Sequence, residues 1–422
     1  MLQTRRSPAY PVIGLLAAQL IALLAVVFVT LPRVWKWHAF DLAIYYQDSL
    51  KLLHGQLPYR DFALEYPPLA LLPFALPRLA TFGLPINFSD YVWLFLIQNV
   101  IFSTLIALVV ARISGWRPFA LALYALLVAI SAPLLPWRYD LFPALLTALA
   151  LLCLLRERPA WAGIWLGLGV AAKLYPIVLL PIFGIYCLAG KNRPALLRLG
   201  LGCASAVALT LIPFVLLAPG PLLSFMRYHE LRGLQLESLP AGAIVLAHIL
   251  GRGAARLDFN YGALHLVSPL AGAALKWLPI VFLALYSVVL VCCLARFREE
   301  QATQAHVASQ SLVVYCVAAL LAFIVTNKVF SPQYIIWLLP FAPLLRPRQA
   351  GALLAICALT IILFPFKYDE LLAMQVLPVL LLNLRNLLAV VLLLWLLIDR
   401  APVSLRSALA WPVRDARQLL QR

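Results

Sequence analysis

The sequence predicts an all-α polytopic membrane protein, a transmembrane helical bundle with about 12 spans and juxtamembrane helices on its outer face. Three observations predict it. Of the 422 residues, 64% are hydrophobic and only 12% are charged, where a soluble domain carries about 25% charged residues. Apolar runs close to the roughly 20 residues that cross a hydrocarbon core recur along the chain. Lysines and arginines stand between these runs singly or in pairs, the pattern of cytoplasmic loops. Lipid is therefore the solvent for most of the surface, and membrane lipids are the first partners. The net charge of +17 is spread over many turns rather than gathered in one patch, which argues against a nucleic-acid partner.

The charge rule orders the elements. With Arg5 and Arg6 inside, residues 11–31 form a first span. No small-residue cleavage site follows it, only the collar of Arg33, Trp35, Lys36 and Trp37, so it reads as a retained span rather than a signal peptide. Residues 91–110 run inward to Arg112 and Arg117. Residues 118–135 run outward and 141–155 return to Arg156 and Arg158. A hairpin over 161–190 comes back to Lys191, Arg193 and Arg198. Residues 199–217, 278–294, 311–325, 335–345, 350–366 and 371–398 complete the bundle, with Arg296, Arg298, Arg346, Arg348 and Arg400 at inner turns. This gives one membrane domain over 1–400, a first outer loop over 32–88, and a short basic cytoplasmic tail over 401–422. The active face would be extracytoplasmic, at the cell membrane. Residues 67–82, with four prolines, and 241–250 are too broken or too short to cross, and read as helices lying at the outer interface.

This assignment uses Lys and Arg alone, yet it also sorts the acids. Of 16 Asp and Glu residues, only Glu157, Glu299, Glu300, Asp399 and Asp415 fall inside. The seven cysteines all lie in apolar stretches and read as small core residues. No metal-ligand spacing, P-loop or GxGxxG after a strand is present, so the sequence calls for no metal and no cofactor.

The chemistry concentrates in the outer segments. HAFDLAIYYQDSLKLLHGQLPYRDFALEY carries Asp41, Asp48, Asp61 and Glu65 among Tyr45, Tyr46, Tyr59 and Tyr66. Asp41 is expected at a helix start just beyond span one, where free amides stabilise a carboxylate. It is then either a cap or a general base facing a cleft. Arg138 and Asp140 lie in PWRYDLFP. Lys173 interrupts an apolar stretch, where an ionisable group defaults to a functional role, although a lysine that only snorkels has the same sequence signature. FMRYHELRGLQLES contributes His229, Arg232, Gln235 and Glu237, and TNKVFSPQY contributes Lys328 and Gln333. His229 is a second base, a phosphate donor or a structural histidine. The other five histidines read as structural, and Arg385 lies mid-span. One base with a ring of cations at headgroup level suits an anionic lipid phosphate beside a neutral polyol. A transporter or flippase of a lipid-linked sugar is the alternative.

At these residues the chain resembles the polyprenol-phosphate-mannose-dependent α-mannosyltransferases of the GT-C glycosyltransferase superfamily. The matching stretches are FDLAIYYQDSLKLLHGQLPYRDF, EYPPLALLPF, GLGVAAKLYPIVLLP, RYHELRGLQLES and NKVFSPQYIIWLLP, in that order. The resemblance implies a polyprenyl-phosphate sugar donor, mannose first among hexoses, and inverting transfer to a hydroxyl of a glycan or glycolipid acceptor. It places the base at Asp41 and the donor phosphate on Lys173, Arg232, Lys328 and Arg138. Tyr45, Tyr59, Glu65, Asp140, His229, Gln235, Glu237 and Gln333 are then substrate-binding candidates. Many relatives carry an Asn-Gly-Gln stretch where this chain has Trp137, Arg138, Tyr139 and Asp140.

Overall fold

A computed structural model describes residues 9–82, 84–190, 192–217 and 224–400. Arg5, Arg6, Lys191 and the whole basic tail, with Arg406, Arg414 and Arg417, lie outside the described residues. The chain is an all-α polytopic membrane protein. Its helices are α1 (Ala9–Leu53), α2 (Leu71–Leu79), α3 (Phe88–Ser114), α4 (Pro118–Ser131), α5 (Leu141–Leu155), α6 (Pro159–Ala172), α7 (Leu180–Ala189), α8 (Arg193–Leu217), α9 (Ser224–Leu231), α10 (Leu239–Ile249), α11 (Pro269–Gln304), α12 (Ser309–Val325), α13 (Pro347–Ile361), α14 (Tyr368–Leu372) and α15 (Val376–Asp399). Six segments are long and apolar enough to cross a bilayer: α1, α3, α8, α11, Pro347–Phe366 and α15. The expected crossings at 118–135, 141–155, 161–190 and 311–325 correspond to shorter apolar helices of 10–17 residues. Residues 67–82 and 241–250 form α2, with a preceding 3-10 turn, and α10.

Three boundaries differ from expectation. First, α1 does not stop near Leu31. It continues unbroken to Leu53, so Asp41 lies mid-helix, roughly 15 Å further along at 1.5 Å per residue. The expected helix start, and with it the N-cap for Asp41, is therefore wrong. Arg33 and Lys36 are good helix formers, and the outer half keeps a buried stripe of Val34, His38, Leu42, Tyr45 and Ser49 at helical spacing. Second, 335–345 is not an α-helix but two 3-10 segments, Pro332–Leu338 and Ala342–Leu344. Pro332, Pro340 and Pro343 lack the amide donors that an α-helix needs. Third, α6 stops at Lys173, whose backbone is extended (φ −161°, ψ 139°), and a 3-10 turn (Tyr175–Leu179) precedes α7. Pro176 cannot continue the α6 ladder.

Close helix packing follows from small residues. A Cβ on Gly163 or Gly167 of α6 would run into the α8 backbone at Leu199 and Cys203, and one on Gly202 into the Ala160 carbonyl. Glycines four apart let the two backbones touch, as at membrane helix contacts generally.

The only sheet among the described residues is a hairpin, β1 (Arg256–Asn260) with β2 (Ala263–Val267). Its two-residue turn, Tyr261-Gly262, has positive φ at both positions (44° and 66°), the geometry that matches strand twist. β2 also bonds the chain before α10, through Leu236 N to Leu264 O at 3.1 Å and Leu266 N to Leu234 O at 2.7 Å.

The loops separate by end. At one end Arg296, Glu300, Ser311 and Arg400 form a network, and Arg346 pairs with Asp399. The turns holding Arg117, Glu157, Arg158 and Arg198 open at that same end. The acid-rich segments meet at the other.

Candidate active site

At the acid-rich end, segments from most of the bundle close around a cavity of about 320 Å³. Nine of the thirteen candidate residues line it: Asp41, Glu65, Arg138, Lys173, His229, Arg232, Gln235, Glu237 and Gln333. They are supplied by α1, by loops, by α9 and by the 3-10 segment after α12.

Asp41 reaches inward from α1, where its Oδ2 accepts from Arg138 Nη2 at 2.8 Å. Arg138 is 4% exposed and Asp41 29%, so the carboxylate keeps contact with the cavity while the guanidinium is sunk in its wall. The remaining Arg138 donors reach toward the Trp37 and Trp137 carbonyls, at 3.4 and 3.3 Å. Its Nε has no partner. Asn99 of α3 fixes the turn by donating to the carbonyls of Pro136 and Arg138.

Lys173 emerges where α6 breaks, so that its cation sits at a helix C-terminus, the favourable pole. Its Nζ donates to Asp140 Oδ1 at 2.7 Å and lies 4.6 Å from the Tyr139 ring centroid. Trp337 Nε1 donates to the same oxygen at 2.7 Å, and Trp337 is stacked between Tyr175 and Tyr334 at 4.2 and 3.8 Å. Asp140 itself is fully buried behind the lining. It holds Lys173 rather than facing the cavity.

Glu237 is 3% exposed. Its Oε1 accepts from the Tyr368 hydroxyl at 2.9 Å, and its Oε2 has no partner. Gln235 and Ser331 exchange hydrogen bonds at 3.0 and 3.2 Å. Arg385, the mid-span arginine, braces this loop by donating to the Glu237 carbonyl at 2.5 Å, with its guanidinium 3.7 Å from the Phe330 ring. Burial raises the Glu237 and Glu65 carboxyls above the ordinary range. Burial, with Arg232 and Lys173 nearby, lowers His229 to about 4, so at neutral pH it is uncharged and able to accept or donate a hydrogen bond.

Four candidates lie away from the lining. Tyr45 is packed against Phe74, 4.3 Å between rings. Tyr59 donates to the Tyr66 carbonyl at 2.6 Å. Asp140 stands behind Lys173. Lys328 donates to the Glu230 and Arg232 carbonyls at 2.8 and 2.7 Å, and lines a neighbouring groove instead. That groove, about 630 Å³, is mainly apolar, with Leu275, Leu278, Pro279, Phe282 and Phe323, and Arg232 lines both spaces.

The sequence reading missed much of the aromatic and hairpin wall: Trp37, Phe40, Phe259, Gly262, Tyr334, Phe364 and Tyr368 all line the cavity. Asn260-Tyr261-Gly262 was a readable turn signal. Gly262 suits that turn, since its φ of 66° is one that L side chains rarely adopt, and a Cβ would stand 3.2 Å from the Tyr228 hydroxyl. The five histidines read as structural include His38, which bonds the Pro133 carbonyl at 2.8 Å and stacks on Trp137, and His265, which bonds the Asn260 carbonyl.

A comparison with protein-family models matches residues 64–323 to Glycosyltransferase family 87. A search of the curated proteins found no match.

Proposed function

The chain belongs to glycosyltransferase family 87, and from that membership and the cavity we propose that it moves a hexose, mannose first, from a polyprenyl phosphate to a glycan or glycolipid hydroxyl on the extracytoplasmic side. One observation carries the reading. A carboxylate (Asp41) and three cations (Arg138, Lys173, Arg232) from distant segments share one cavity, and an apolar groove begins at Arg232. A sugar on a lipid phosphate has both halves of that pattern.

In the proposed reaction the acceptor oxygen attacks the anomeric carbon from the face opposite the phosphate. A new C–O bond forms, the bond from carbon to phosphate oxygen breaks, and its electron pair leaves with polyprenyl phosphate. The acceptor proton passes to Asp41. Lys173 and Arg232, with Arg138 beside them, meet the developing phosphate charge; such stabilisation is often the largest single contribution. Glu65, Glu237, Gln235 and Gln333 offer hydrogen bonds to sugar hydroxyls. Asp140 keeps Lys173 charged and aimed. A flippase reading would need polar groups through the middle of the bundle, and the family removes its main support.

The test is incubation of purified protein, reconstituted in lipid, with radiolabelled polyprenyl-phosphate mannose and a set of glycoside acceptors. Labelled product of inverted configuration supports the proposal. Transfer from a nucleotide sugar but not from the lipid donor would refute it.

A further inference from the structure

A second recess adjoins the cavity and shares none of its lining with the apolar groove. It is a groove of about 340 Å³ lined by Phe40, Ala43, Ile44, Gln47, Asp48 and Lys51 of α1 and by Ala63 and Glu65 of the following loop. The α1 residues recur at helical spacing, so they form a single outward face of the helix. Phe40 and Glu65 line both this groove and the cavity, as Arg232 does at the apolar side. The cavity thus has two annexes, one mainly apolar and one that sets polar side chains beside apolar ones.

Resting on the glycosyl-transfer reading above, we infer that the α1 groove binds the acceptor, and that the acceptor is a carbohydrate of at least two sugar units. The reacting unit lies beside Asp41, and the next lies over Gln47 and Asp48. A pyranose has polar edges and apolar faces, and both meet their complement here. Phe40 is 53% exposed and Phe259 across the mouth 61%, and their rings meet edge-on at 6.2 Å. That contact leaves ring faces free to cover a sugar face. Glu65, Gln47 and Asp48 supply acceptors and an amide donor for hydroxyls. The Gln47 amide has no hydrogen bond among the described residues, and Asp48, though buried, has only a 3.5 Å pair with Lys51.

The experiment compares octyl glycosides of one mannose and of a mannose disaccharide as acceptors. Gln47→Ala and Asp48→Asn each raise KM for the disaccharide glycoside about five- to tenfold, the loss of one hydrogen bond. KM for the monosaccharide glycoside and for the lipid donor stay within twofold. Phe40→Ala raises KM for both glycosides, and Phe40→Trp preserves it. Equal effects of Gln47→Ala on the two acceptors, or no effect on either, overturns the inference. Wild-type transfer to dodecanol but to neither glycoside also overturns it, while leaving the transferase reading in place. Absence of transfer from the lipid donor to any acceptor takes down that reading itself.

Discussion

Replacing Asp41 by Asn separates a catalytic base from a structural partner. The structural cost is limited. The Asp41–Arg138 pair spans 2.8 Å with Asp41 29% exposed. Unit charges at about 4 Å interact by roughly 4 kcal/mol at an effective dielectric near 20. Partial solvent access and the carbonyls of Trp37 and Trp137 that Arg138 retains cut the net loss to about 1–2 kcal/mol. Asn also keeps an oxygen that accepts from Arg138. The catalytic cost is larger: a positioned base contributes about 10²–10⁴-fold, or about 2.7–5.4 kcal/mol on the barrier at 1.36 kcal/mol per decade. Asp41→Asn is therefore expected to fold, bind donor within twofold of wild type, and lose 10²–10⁴-fold in single-turnover transfer of labelled mannose in nanodiscs. Arg138→Met, with the carboxylate intact, should instead weaken donor binding. Transfer by Asp41→Asn within threefold of wild type, or a loss fully explained by a smaller folded fraction, would refute Asp41 as the base.

Other expectations follow from single contacts. Asp140→Asn leaves the buried Lys173 without its counter-charge and should destabilise by about 3–5 kcal/mol; adding Lys173→Met should restore thermal stability but not donor binding, read by melting and by filter binding. Tyr368→Phe leaves Glu237 with neither carboxylate oxygen bonded, and should cost about 1–3 kcal/mol in melting while raising substrate KM. His229 titrates near 4 in the fold against 6.5 in the free side chain. Its contribution to stability is thus full above about pH 6.5 and is lost as pH falls toward 4, since the unfolded chain takes up the proton first. The fall in melting temperature between pH 7 and pH 4.5 should be smaller in His229→Gln than in wild type. Gly163→Ala pushes a methyl into the α8 backbone and should cost about 1–3 kcal/mol or more, whereas Gly272→Ala, which meets nothing within 4 Å, should be neutral.

The sequence by itself determined the membrane class, most of the helical segments and the sorting of most acids to one end. These follow from hydropathy and charge, which the bilayer reads locally along the chain. It also named most of the charged residues of the cavity, because ionisable groups beside lipid are costly and stand out against an apolar background: Asp41, Arg138, Lys173 and Arg232 were all legible as isolated charges. Tertiary structure decided which of these charges face a ligand and which are spent on one another. Asp140 and Lys328 look alike in sequence to cavity residues, yet one serves Lys173 and the other two backbone carbonyls. The continuation of α1 past Leu31 depended on a buried stripe that has meaning only against α2, α3 and the Pro133–Arg138 turn. The aromatic and hairpin wall came last, since Phe40, Phe259 and Tyr368 carry no charge to mark them, and their meeting at one mouth is set by loop closure over hundreds of residues, which no local pattern encodes.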